Sequence, residues 1–179
     1  EDQGRAAFSA ALRGCAAFAS RIEVLDLSSN GLGLAGGVWS PEDQRTEKEA
    51  CVEFGGALAL ASQLRELNLS ENFLDDGGVV PIVEALAGGA GKGRLELLEL
   101  SACYLRAPSA LALTAFMEAG AGAALHSLGL YRNLRVGDGA MAGLLRALHE
   151  HVPRLRTLKI GQTGLGGADG GALDACVPL

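Results

Sequence analysis

Apolar residues recur along this chain with two alternating periods. Short stretches read Leu-x-Leu, a period of two that sends two leucines to one face of a strand and the residue between them to the other. Between these stretches the spacing changes to three and four. Phe8, Leu12, Cys15 and Phe18 then fall on one face of a helix, as do Cys51, Phe54, Leu58 and Ala61, and later Met141, Leu144, Leu145 and Leu148. Strand, turn and helix follow one another repeatedly. No single unit can bury its own apolar faces, so neighbouring units are expected to stack.

Five segments share the spacing Leu-x-x-Leu-x-Leu-x-x-(Asn/Cys/Thr)-x-Leu. They are Ile22, Leu25, Leu27, Asn30, Leu32; Leu64, Leu67, Leu69, Asn72, Leu74; Leu95, Leu98, Leu100, Cys103, Leu105; Leu125, Leu128, Leu130, Asn133; and Leu155, Leu158, Ile160, Thr163, Leu165. The first positions, 22, 64, 95, 125 and 155, step by 42, 31, 30 and 30 residues. Strands are expected near 24–28, 66–70, 97–101, 127–131 and 157–161. The polar residue three positions past the second inward leucine is expected to turn inward, where it meets backbone groups left unpaired as the chain leaves the strand.

This spacing closely resembles the leucine-rich repeat family. A unit near 30 residues with a full helix is similar to the ribonuclease-inhibitor-like subtype, as in Ran GTPase-activating protein and intracellular nucleotide-sensing receptors. Phe73-Leu74-Asp75-Asp76-Gly77-Gly78 and Val136-Gly137-Asp138-Gly139-Ala140 both match that subtype's turn into the helix. The resemblance covers residues 22 to about 174. It implies an α/β fold: a right-handed leucine-rich-repeat solenoid, a horseshoe arc with a parallel β-sheet on its concave face and helices on its convex face. Residues 1–179 are expected to form one such domain of about five repeats. A fragment of a longer array is the expectation, because 3–20 resembles the helix of a preceding repeat and 170–179 the opening of a following one. The family hosts many unrelated roles, so the resemblance speaks for fold more than for function.

Two units depart from the pattern. In the fourth, apolar Val136 lies six positions after Leu130 where five is usual, which predicts a bulge near Leu134 and Arg135. The first is longer, with an insertion placed at 33–48. There Ser40-Pro41-Glu42-Asp43 predicts a helix starting at Pro41: Ser caps free N–H groups, Pro suits the first helical position, and acids favour the positive end of the helix dipole. Run to Ala61 it would span about 31 Å, unless Gly55-Gly56 kinks or ends it. The insertion reads either as a tolerated loop on the convex side or as a binding device; Trp39, the only Trp, keeps the second reading open.

Composition narrows the function classes. The 179 residues are 49% hydrophobic with a formal net charge of -6, yet no apolar run approaches the roughly 18 to 20 residues of a membrane span. A soluble, non-membrane protein is expected. Residues 3–20 are rich in Ala but lack the apolar centre of a secretion signal, and Arg13 interrupts them. The acidic balance and the lack of a basic cluster argue against nucleic acid. Four cysteines (Cys15, Cys51, Cys103, Cys176) lie far apart without a C-x-x-C pair; free buried thiols in a reducing, cytoplasmic compartment are expected, with disulfides as the alternative.

No catalytic constellation converges in the sequence. His149-Glu150-His151 is not the zinc spacing His-Glu-x-x-His, since its two histidines point to different sides of a helix. Residues 88–93 have a phosphate-loop flavour but lack Ser or Thr after Lys92, and they join a helix to a strand rather than feeding a helix. Asp75-Asp76, Glu66 and Glu71 have no opposed partner for acid–base work. No enzyme activity, cofactor, metal or small-molecule substrate is expected.

A protein partner remains, and the residues flanking the inward leucines give the columns of the exposed sheet face: Val24, Glu66, Leu97, Ser127, Thr157; Asp26, Asn68, Glu99, Gly129, Lys159; and Ser28, Ser70, Ser101, Tyr131, Gly161. The loop edge adds Glu71, Arg132 and Gln162. The expected partner-binding set is Asp26, Glu66, Asn68, Glu71, Glu99, Tyr131, Arg132 and Lys159, a face grading from acidic to mildly basic. Tyr131 and Arg132 lead it, because aromatic and guanidinium groups dominate interfaces, although such residues also simply solvate strands. The expected function is a protein–protein interaction scaffold. The alternatives are a structural subunit of a cytoskeletal or ciliary assembly, docked by the helices or the insertion, and a GTPase-activating module.

Overall fold

A computed structural model describes residues 3–33 and 40–165. Trp39 with most of the insertion, and Cys176 with the segment after residue 165, lie outside the described residues. Among the described residues the fold is α/β, with six helices and five strands. The order is α1 (Gln3–Gly14), α2 (Ala16–Ala19), β1 (Val24–Asp26), α3 (Pro41–Leu58), β2 (Glu66–Asn68), α4 (Asp75–Gly88), β3 (Leu97–Glu99), α5 (Ala107–Glu118), β4 (Ser127–Gly129), α6 (Asp138–His151) and β5 (Thr157–Lys159).

The strands form one parallel sheet in sequence order, β1-β2-β3-β4-β5. Register is constant: Leu25, Leu67, Leu98, Leu128 and Leu158 lie side by side. Leu67, Leu98 and Leu128 are buried, together with Leu69, Leu100 and Leu130. Leu25, Leu27, Leu158 and Ile160 are only partly buried, because among the described residues β1 and β5 have a neighbour on one side only. The strands are shorter than expected. Ladder bonding continues one residue further, from the N–H groups of Leu27, Leu69, Leu100 and Leu130. The chain then leaves the sheet at Ser29, Glu71, Ala102, Arg132 and Gln162, each left-handed with φ of 55°, 57°, 53°, 59° and 55°.

Successive helices pack on one another, α3 on α4, α4 on α5 and α5 on α6. Helix α3 begins at Pro41 as expected and ends at Leu58. The Gly55-Gly56 pair does not break it. A Cβ on Gly55 would sit 3.0 Å from the Ile82 Cα and 3.0 Å from the Pro81 carbonyl oxygen, so this glycine serves the close approach of α3 to α4. The glycine-rich segment 88–93 serves a similar purpose: a Cβ on Gly89 would lie 2.9 Å from the Ala59 Cβ, and Ala90 donates its N–H to the Ala59 carbonyl at 3.0 Å. It connects helix to strand by fitting tightly against the preceding connection.

Three expectations need adjustment. The first helical stretch divides at Cys15, whose φ of -135° leaves the helical region, so Phe8, Leu12, Cys15 and Phe18 do not share one buried face. Leu12 is buried while Phe18 is half exposed. Cys15 is an exposed thiol, unlike the buried Cys51 and Cys103, and none of the three forms a disulfide. In the fourth unit the extra residue is Arg135, which stays exposed and forms a β-bridge with Arg106 while Val136 keeps its place in the core.

The buried polar column joins the units. The Asn72 side-chain oxygen accepts from the N–H groups of Asn30 (3.1 Å) and Leu32 (2.9 Å), and its amide nitrogen donates to the carbonyls of Leu27 (2.9 Å) and Leu69 (2.8 Å). Asn133 repeats this one unit pair later, accepting from Cys103 and Leu105 (both 3.1 Å) and donating to Leu100 and Leu130 (both 2.9 Å). Cys103 donates to Leu69 O at 3.1 Å, and Thr163 to Ile160 O at 2.8 Å. Asp76 performs the same service for a helix. Its carboxylate accepts from the N–H groups of Arg106 and Ser109 and from the Ser109 hydroxyl (3.0, 3.2 and 2.6 Å), capping α5 from the preceding unit.

Asn133→Ala leaves up to four buried backbone groups without partners, each costing roughly 1–3 kcal/mol. A loss of about 3 kcal/mol is expected as a lower denaturation midpoint at unchanged m-value. The Cys103 thiol is pushed up to about 12 by burial, against about 8.5 in an unfolded chain. The folded state thus holds this proton more tightly, so the contribution is complete below about pH 8.5 and lost as pH rises toward 12, at up to about 1.4 kcal/mol per pH unit. Denaturation series from pH 7 to 10.5 should show this alkaline decline, and Cys103→Ser should flatten it.

Candidate functional site

The residues after each inward leucine are occupied in closing the turns. Asp26 Oδ1 accepts from the Ser28 N–H (2.9 Å) and hydroxyl (2.7 Å). These bonds, the hydroxyl foremost, hold the Asp26 carboxyl below its ordinary range. Asn68 makes the same pair with Ser70, at 3.1 and 2.6 Å, and Glu99 accepts from the Ser101 hydroxyl. The Ser101 oxygen in turn receives the Tyr131 N–H at 3.1 Å. Three of the expected contact residues therefore shape the strand exits. Glu66 lies half-buried between Val24 and Leu97 on neighbouring strands.

The expected charge gradient is altered at its centre. Lys159 Nζ lies 2.8 Å from Glu99 Oε2, although β3 and β5 are separated by β4. The pair meets above Gly129, where a Cβ would clash with the Glu99 carboxylate. Glu99 is left 12% exposed, and Ser127 and Gly129, expected on the open face, are buried. Tyr131 likewise leans over the following unit: its ring edge lies 3.0 Å from where a Cβ of Gly161 would stand. Glycine in two units thus admits long side chains from the units beside them. Tyr131 remains exposed.

The sheet edge where the strands exit carries a groove of about 360 Å³. It runs between two columns of equivalent positions. One holds the left-handed turn residues Glu71, Ala102, Arg132 and Gln162; the other is the position after the buried Asn/Cys column, where Phe73, Tyr104 and Leu134 follow one another. Ala102 and the buried Asn72 also line the groove. Phe73 and Tyr104 stack with ring centroids 5.5 Å apart and planes 25° apart. Tyr104 is 60% exposed and Leu134 is 67% exposed.

The left-handed backbone of the first column recurs at three members of the second. Its end members are Gly31 and Gly164, with φ of 64° and 82°, and Tyr104 adopts φ 63° between them. A bulky side chain is strained there by roughly 1–2 kcal/mol, which glycine would not suffer. Charge is divided along the groove. The Glu71 carboxylate receives the Ser29 hydroxyl at 2.7 Å, whereas among the described residues no carboxylate pairs with the Arg132 guanidinium.

Sequence reasoning reached Glu71, Arg132 and Gln162 at this edge and missed Phe73, Tyr104 and Leu134. The signal was present: aligning the residue between the Asn/Cys/Thr and the last leucine of each unit gives Gly31, Phe73, Tyr104, Leu134 and Gly164. No family model matches the chain, and no match to a curated protein was found. Among the described residues no group of three His, Cys, Asp or Glu side chains is arranged to hold a metal, and no helix is long and apolar enough to cross a membrane.

Gly129→Ala should displace the Glu99 carboxylate and with it the ion pair to Lys159. Because that contact is with the mobile end of a side chain, the cost is modest, about 1 kcal/mol. Lys159→Ala should then cost little in the Gly129→Ala background, a non-additivity that a double-mutant cycle in thermal or urea denaturation measures.

Proposed function

We propose that the chain is a leucine-rich-repeat solenoid of the ribonuclease-inhibitor-like kind and serves as a protein-binding scaffold. The regular step of 30 or 31 residues from the second unit onward, the constant strand register and the shared polar column support the repeat reading. One observation carries the binding reading: in three consecutive units Phe73, Tyr104 and Leu134 present a row of apolar groups at the strand-exit edge, two of them mostly exposed. Exposed apolar rows of this kind mark interaction surfaces, whereas single exposed residues do not.

The contact surface on this reading is the strand-exit rim of the concave face, with Tyr131 and Arg132 beside it. Asp26, Asn68 and Glu99 support that surface by ordering the turns beneath it rather than by meeting the partner. Aromatic and guanidinium groups with little internal engagement supply most of the contact energy at protein interfaces. The scaffold needs no reaction, cofactor or metal to do this.

A photo-reactive residue placed at position 104 or 131, and in separate proteins at positions 52 or 111 on α3 and α5, tests the reading in lysate. Common protein adducts from 104 and 131 that are missing from 52 and 111 are expected. Adducts confined to 52 and 111 would move the contact to the helices and favour a structural subunit instead.

A further inference from the structure

The strand-exit groove is specific enough in shape and charge to indicate what lies in it. Its volume of about 360 Å³ is near the lower end of ligand sites, about 300–1,000 Å³. Its walls stay open: Tyr104 and Leu134 keep most of their surface in solvent. An enclosed small molecule buries the greater part of its own surface, which this groove cannot do. A segment of another protein covers such a groove from outside and brings the remaining apolar surface with it.

Polarity along the groove selects among segments. Phe73 and Tyr104 stack in units two and three, and Leu134 and Arg132 stand in unit four. The Arg132 guanidinium has no carboxylate partner among the described residues, and it offers a planar fork of donors suited to a carboxylate. Glu71, at the opposite end, is already engaged by Ser29. Arg132 is therefore the groove-lining charge that remains available, and it suits an anion. Neighbouring strands are about 4.8 Å apart and an extended chain advances about 3.3 Å per residue, so one unit along the sheet corresponds to one or two residues of a bound strand.

We propose that this groove holds an extended segment of a partner protein in which a bulky apolar residue, packed on Phe73 and Tyr104, is followed within about two residues by Asp or Glu paired with Arg132. The proposal rests on the protein-binding reading and names the partner's chemistry. It also gives the strained Tyr104 a purpose. Glycine would suit the backbone better, as it does at Gly31 and Gly164, but a large ring continues the apolar wall from Phe73 toward Leu134.

The test is titration of the isotope-labelled 179-residue chain with three synthetic peptides, followed by amide chemical shifts. The first is acetyl-Ser-Leu-Phe-Ser-Glu-Asp-Ser-amide. The second replaces its acids with Lys, and the third replaces its Leu and Phe with Ser. Saturable shifts centred on Ala102, Tyr104 and Arg132 are expected for the first peptide, with binding at least about tenfold weaker for the other two. Arg132→Glu should reverse the preference toward the Lys peptide, and Tyr104→Asn, which tolerates the left-handed backbone, should weaken the first peptide about tenfold. Unchanged spectra at distant amides certify the fold of both variants. Equal binding of the three peptides, or no saturable shift with any, overturns the proposal. Shifts centred on Tyr131 and Lys159 overturn it too, but they leave the scaffold reading standing. Cross-linking from positions 104 and 131 tests that reading independently of any peptide.

Discussion

Where each strand ends, the backbone turns while still inside the protein, and several of its N–H and C=O groups have no backbone partner there. Asn72 and Asn133 meet this need with both ends of one side chain, accepting from two N–H groups of the preceding unit and donating to carbonyls of both units. Buried polar groups left unpaired are costly, so this bonding restricts how one unit can sit on the next. The parallel register, the repeated left-handed turn and the alignment of outward columns all depend on it. Cys103 fills the same place with a single donor, and Asp76 extends the principle to the start of a helix.

That alignment produces surfaces as well as a core. Once five turns superpose, each sequence position becomes a column, and a column's character is the sum of side chains far apart in the chain. The sheet-face column of Asp26, Asn68 and Glu99 is consumed by the turn beside it, and the opposite charges of Glu99 and Lys159 cancel over Gly129. The rim columns are less engaged. They leave Arg132 without an ion-pair partner among the described residues and Tyr104 in a backbone conformation better suited to glycine. Groups engaged within the fold and groups left exposed are thus divided between adjacent positions of one repeat.

Much of the architecture was legible because its causes are local or periodic. Leu-x-Leu alternation places three central strands with fully buried middle leucines, and Ser40-Pro41 marks the start of α3. The extra residue before Val136 announced the outward Arg135. Less legible were effects that depend on what a neighbouring unit lacks. Gly55-Gly56 looks like a helix breaker in one dimension; the closeness of Pro81 and Ile82 makes Gly55 a packing site instead. The break at Cys15 was not visible either, since apolar spacing continues through it while the backbone leaves the helix.

What the sequence by itself determined is the repeat: its period, its inward leucines, its polar column and the sense that neighbouring units must stack, all properties of spacing along one chain. Tertiary structure decided which outward side chains stay available. A long side chain such as Glu99 or Tyr131 reaches past its own unit, and its destination depends on whether the next position offers a Cβ or, as at Gly129 and Gly161, open space. Spacing carries no information about that reach, so the rim groove at Phe73, Tyr104 and Arg132 emerged only when the units were laid side by side.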